Sequence, residues 1–115
     1  MRTNAVAADM GITYDSTAQK HVLTYMNDSA SNRIDAQVIS ISGTTPSSGT
    51  AVTGLTTSGL RVAAAYDSTA NKTVIAYVDN ANSNYGTARV GTISGTDITF
   101  GDAVVYSASS TGANE

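Results

Sequence analysis

The side chains with the most chemistry to offer lie in two polar stretches, Asn27-Asp28-Ser29-Ala30-Ser31-Asn32-Arg33 and Asp79-Asn80-Ala81-Asn82-Ser83-Asn84-Tyr85-Gly86. An amide presents a donor and an acceptor side by side, a carboxylate presents acceptors only and a guanidinium donors only. Asn27, Asp28, Asn32, Arg33, Asp79, Asn80, Asn82 and Asn84 can therefore engage paired sugar hydroxyls, and Tyr85 adds a ring able to cover the apolar face of a sugar. These residues form the candidate ligand-binding set, with carbohydrate as the expected ligand. Asn and Asp are also turn builders. Turn geometry is thus the competing explanation for the amides, and packing between units the competing explanation for Tyr25, Tyr77 and Tyr85.

Other chemistries find less support. Asn80-x-Asn82-x-Asn84 spaces oxygens as a calcium loop begins, yet Tyr85 stands where such a loop needs glycine and Gly91 where it needs glutamate. Hard cations also favour carboxylates over neutral amides, so neither metal nor cofactor is expected. The single histidine, His21, has no second histidine beside which to repeat a catalytic arrangement, and no Gly-x-Ser-x-Gly elbow is present. Carboxylates paired for glycoside hydrolysis stand roughly 5–10 Å apart, whereas Asp28, Asp35, Asp79, Asp97 and Asp102 read mostly as turn residues. The expectation is a protein that is not an enzyme, with a polysaccharide-cleaving activity as the third-ranked alternative.

Six Lys and Arg against nine Asp and Glu give a net charge of −3, and the basic residues are scattered. Electrostatic binding of nucleic acid is therefore not expected. Without cysteine there are no disulfides or thiolate sites. No apolar run approaches the ~18 residues of a membrane span, and no charged-then-apolar leader is visible. No membrane partner is expected. A protein released by lysis within a virion carries no such mark, which leaves location open and virion or extracellular settings compatible.

The elements that must position these loops are repeated. Tyr14-Asp15-Ser16-Thr17-Ala18 recurs as Tyr66-Asp67-Ser68-Thr69-Ala70, and Ile41-Ser42-Gly43-Thr44 as Ile93-Ser94-Gly95-Thr96, both at an offset of 52 residues. Lys20/Lys72, Val22/Val74, Tyr25/Tyr77, Asn32/Asn84, Ala36/Ala88 and Val38/Val90 match between these anchors, and Gly49/Gly101, Ala51/Ala103 and Val52/Val104 match beyond them. Each repeat reads as four strands. The first is rich in small residues, with Gly11 in one copy and Ala63, Ala64 and Ala65 in the other. Asp15 and Asp67 then cap a hairpin turn. The second strand, 21–26 or 73–78, is apolar on both alternating faces, the pattern of a sheet covered on both sides. After the polar loop comes a third strand, 36–41 or 87–93, ending at the shared Ser-Gly-Thr turn. The fourth strand is placed at 49–52 or 101–106, with Pro46, the only proline, in the turn before it.

Four short antiparallel strands per repeat describe a β-propeller blade, the first strand lining a crowded central channel. Tyr66-Asp67 through Lys72-Thr73-Val74-Ile75-Ala76-Tyr77, then Asn82-Ser83-Asn84-Tyr85-Gly86-Thr87-Ala88 and Val90-Gly91-Thr92-Ile93-Ser94-Gly95, resembles the repeats of phage and marine metagenomic propeller-like proteins. The first copy departs at Arg33-Ile34, where the second has Tyr85-Gly86, and at Ser48, where the second has Phe100. The expected fold is all-β, with two four-stranded antiparallel β-propeller blades per chain. Residues 1–13 would form a ring-closing strand entering blade 1, 14–65 blade 1 and 66–115 blade 2. Propellers close with roughly four to eight blades. The ring must then be closed by oligomerisation, most simply as a homotrimer with six blades, ahead of a dimer with four or a tetramer with eight. The competing expectation is a piece of a longer repeat protein. The function expected is a lectin-like, non-enzymatic adhesion module of a phage-like fibre, with itself and a glycan as partners. A structural or protein-docking propeller is the rival.

Overall fold

The computed structural model describes residues 7–27 and 31–110 and consists of two antiparallel β-sheets of like design. The first contains β1 (Ala7–Asp15), β2 (Lys20–Asn27), β3 (Arg33–Ser42), β4 (Thr45–Ser48) and β5 (Val52–Thr56). The second contains β6 (Gly59–Asp67), β7 (Lys72–Asp79), β8 (Tyr85–Ser94), β9 (Asp97–Phe100) and β10 (Val104–Ser110), with one 3-10 turn at Asn80–Asn82. Neither sheet closes on itself.

Each sheet is a meander whose fourth position is shared by two short strands. β4 pairs with the C-terminal end of β3, from Ile39↔Ser48 to Ser42↔Thr45, and β5 pairs with its N-terminal half through Ile34↔Thr56 and Ala36↔Val52. β9 and β10 divide β8 in the same way. The glycines expected to open the fourth strand instead interrupt it, for Gly49 and Gly101 fall between the two short strands. Pro46 is likewise inside β4, opposite Ile41, rather than in a turn. Having no N–H to contribute, proline is tolerated on an edge strand. The turn itself is only Gly43 and Thr44, with Gly43 at φ 63° and its counterpart Gly95 at φ 65°, the left-handed geometry that tight hairpins require.

Local chemistry accounts for the first hairpin of each sheet. Asp15 Oδ1 accepts from the amides of Thr17 (2.9 Å) and Ala18 (2.8 Å). Asp67 Oδ1 accepts from those of Thr69 (2.9 Å) and Ala70 (3.1 Å). Both caps are as expected.

The sheets stack face to face. Register places Val22, Thr24 and Met26 of β2 beside Val38, Ala36 and Ile34 of β3 on one face. Met26, Ile34, Ala36 and Leu55 pack there against Val62, Ile75 and Tyr77 of the second sheet, while Val22 and Val38 meet Ile98. Ile75 is fully buried, a contribution of about 1.5–3 kcal/mol. At the crowded edge a Cβ on Gly11 would stand 3.2 Å from the Ala64 amide and 3.3 Å from Ala63 Cα, a close approach that favours glycine at 11. A volume exchange marks the outer edges. Ile39 faces Ser48 across β3 and β4, whereas Gly91 faces Phe100 across β8 and β9, so each pair carries one large and one minimal side chain.

Candidate functional site

The two polar loops emerge at the end of the molecule where the chain passes from one sheet to the other. Gly59 N donates to Asn32 O (2.8 Å) and Asn80 N to Ser58 O (2.9 Å), so both loops are tied to the connection through Thr57 and Ser58. Each loop closes alike. Asn32 N donates to Asn27 O and Asn84 N to Asp79 O, both at 3.0 Å. Ser31 and Asn32 (φ 61° and 64°) and Ser83 and Asn84 (φ 55° and 60°) are left-handed, a conformation that Asn tolerates better than most residues.

Much of the candidate set holds the loops in shape. Asp79 Oδ1 accepts from Ala81 N (3.0 Å) and from Thr56 Oγ1 (2.7 Å). Asn27 is buried and donates through Nδ2 to Asp35 Oδ2 (3.0 Å), which corrects its placement on a surface loop. Arg33 Nε donates to Asp35 Oδ1 and Oδ2 at 2.8 and 3.1 Å. Asp28 lies outside the described residues. Asn80, Asn82 and Asn84 are exposed and Tyr85 is half-buried. The second loop therefore presents an exposed run of amides, followed at the start of β8 by half-buried Tyr85.

Asp35 is the residue that sequence reasoning misjudged. Expected among turn aspartates, it stands inside β3 with no exposure and accepts from Arg33, Asn27 and the Gly54 amide (3.0 Å). The spacing of Arg33 and Asp35 carried the available signal, because residues two apart on a strand share a face. The equivalent positions in the second sheet are Tyr85, Thr87, Asp79 and Tyr106, so the network belongs to one repeat alone.

Of the remaining candidates for chemistry, the His21 ring rests against Tyr14, centroids 4.9 Å apart. Tyr77 is buried between the sheets and donates to Leu55 O at 3.4 Å. Burial raises its pKa above the ordinary tyrosine value, with Arg89 acting in the opposite sense through a hydrogen bond and its charge. Among the described residues no three His, Asp or Glu side chains converge as a metal site.

No family model, curated protein or solved structure matches this chain. Its function has to be argued from its own geometry.

Proposed function

We propose that this chain is a non-enzymatic β-propeller module. Its two blades are completed by copies of itself, three chains making a ring of six, and it binds carbohydrate through the loop between the second and third strands of the blade, as the adhesive part of a phage-like fibre in a virion or extracellular setting. The propeller reading draws support from the repeated meander, from the tight approach of β1 and β6 at Gly11 and from sheets that do not close.

One observation carries the carbohydrate reading. Asn80, Asn82 and Asn84 are exposed beside half-buried Tyr85 on a loop that Asp79 holds in place. Preorganised amides lose little freedom when they bind hydroxyls, and a ring would repeat weak sites into avidity. A glycan array tests it. Binding that falls at least tenfold in the Asn82→Ala, Tyr85→Ala double variant is expected, and binding untouched by that change would remove the site. Reducing-end release from a bound glycan would overturn the non-enzymatic assignment. The internal use of Asn27, Arg33 and Asp79 favours a second reading, a structural or protein-docking propeller. That alternative expects an intact assembly with no glycan retained.

A further inference from the structure

Both outward faces of the stacked pair carry apolar side chains. On the first sheet Met10, Ile12 and Ile41 are 60%, 59% and 54% exposed, and they line, with Leu23 and Pro46, a cleft of about 450 Å³. On the second, Val90 and Val104 are 45% and 63% exposed. Contiguous apolar surface of this kind marks an interaction site.

The repeat identifies the occupant. Shifted by 52 residues, Met10, Ile12, Leu23, Ile41 and Pro46 fall on Val62, Ala64, Ile75, Ile93 and Ile98. Those are the residues by which the second sheet packs on the first. Conversely, Val74, Val90 and Val104 fall on Val22, Val38 and Val52, which the first sheet buries against the second. The outward faces are thus the two halves of the interface already built inside the chain. We infer that a second copy of this chain docks head to tail, its second sheet's outward face on the first sheet's outward face, in the register of the internal stack.

Gly101 supplies an independent mark of that contact. Its counterpart Gly49 lies against the β8–β9 turn so closely that a Cβ would stand 1.9 Å from Thr96 O. Glycine is obligatory there. At Gly101 a Cβ would meet only Val90 O, at 3.8 Å, and its φ is not in the left-handed region. Nothing among the described residues requires glycine at 101. The docked copy does, because its Thr44 occupies the place that Thr96 holds against Gly49. The same register lets Tyr14 of one copy donate to Thr69 of the next, as Tyr66 Oη donates to Thr17 Oγ1 at 2.7 Å within the chain. The contact joins two different faces, so it is heterologous and propagates until a ring closes.

The inference rests on the propeller reading, and native mass spectrometry with far-UV circular dichroism separates their fates. The unmodified chain is expected to assemble. Ile12→Asp, Val90→Asp and Gly101→Ala each alter an open surface, so each is expected to keep its strand signal while association is lost. Mixing Ile12→Asp with Val90→Asp leaves one intact face on each chain and is expected to give a species of two chains and no larger one. A folded unmodified monomer would overturn the contact, as would Gly101→Ala assembling normally or either Asp variant pairing with itself. A ladder of masses without a discrete endpoint would support the contact and overturn the ring. Glycan binding is read separately on the same samples, so its loss with masses unchanged touches only the carbohydrate proposal.

Discussion

Gly49 and Gly101 occupy one position of the repeat and live in opposite surroundings. The first is pressed against the Thr96 carbonyl of the other sheet; at the second a Cβ would meet, among the described residues, only Val90 O at 3.8 Å. Identical residues at equivalent positions are covered by a neighbouring sheet in one copy and uncovered in the other, which is what the proposed head-to-tail contact expects of a repeat with two docking faces. The same contrast runs through Ile75, fully buried, and its counterpart Leu23, which borders the open cleft.

The sharpest way to break this comparison is to add one carbon at each glycine. Gly49→Ala forces its Cβ into backbone that cannot give way, and a loss of about 3 kcal/mol or more is expected by urea denaturation. Gly101→Ala, introduced in a Val90→Asp background that holds the chain monomeric, is expected to change stability by no more than about 0.5 kcal/mol relative to that background. Equal costs would remove the distinction. Next in size, Ile75→Ala is expected to cost about 2–5 kcal/mol. Leu23→Ala is expected to cost clearly less in a Val90→Asp background that holds the chain monomeric, and to approach the Ile75 value in the assembled protein.

A smaller effect sharpens the difference between the repeats. Arg33→Met leaves the buried Asp35 carboxylate with Asn27 and the Gly54 amide as its donors among the described residues. With Arg33 about one-third exposed (34%), a loss of about 1–2 kcal/mol is expected after allowance for solvent screening. Tyr85→Met at the equivalent position breaks no such pair, so its denaturation midpoint is expected to move less. The smallest effect is one of pH. Tyr77 has its pKa raised in the folded state by burial, so the folded chain holds its proton where the unfolded chain releases it. The resulting stability is complete below the ordinary tyrosine pKa of about 10 and is lost as pH rises through the higher folded value. Tyr77→Phe is expected to flatten the decline in melting temperature above that pH, and an unchanged slope would place its cause elsewhere.

Much of the fold was legible because it is local. Val22 and Val38, and the shared Tyr-Asp-Ser-Thr and Ser-Gly-Thr turns, announce strands and hairpins through alternation and side-chain capping. The division of the fourth strand was not legible. Gly49 reads equally well as the start of a strand or as its interruption, and Pro46 reads as a turn residue although an edge strand accepts it. Of the candidate site, the two loops were legible from their polar composition, whereas their tie to the Thr57-Ser58 connection is a backbone contact that composition does not record. The burial of Asn27 was not legible either, since a polar run carries no record of which amide turns inward.

By itself the sequence determined that two like units follow one another, that each is antiparallel β structure and where its hairpins turn, because period-two patterning and Asx capping act within a few residues. Only the tertiary structure decided which face of each unit is covered, that Asp35 gathers Arg33, Asn27 and Gly54, and that Gly49 meets Thr96. The Asp35 network depends on how β2, β3 and β5 pair within the first sheet, and the Gly49–Thr96 contact on how the two sheets stack. Strand alternation specifies neither, because it leaves apolar side chains on both faces of each repeat until a neighbour covers one of them.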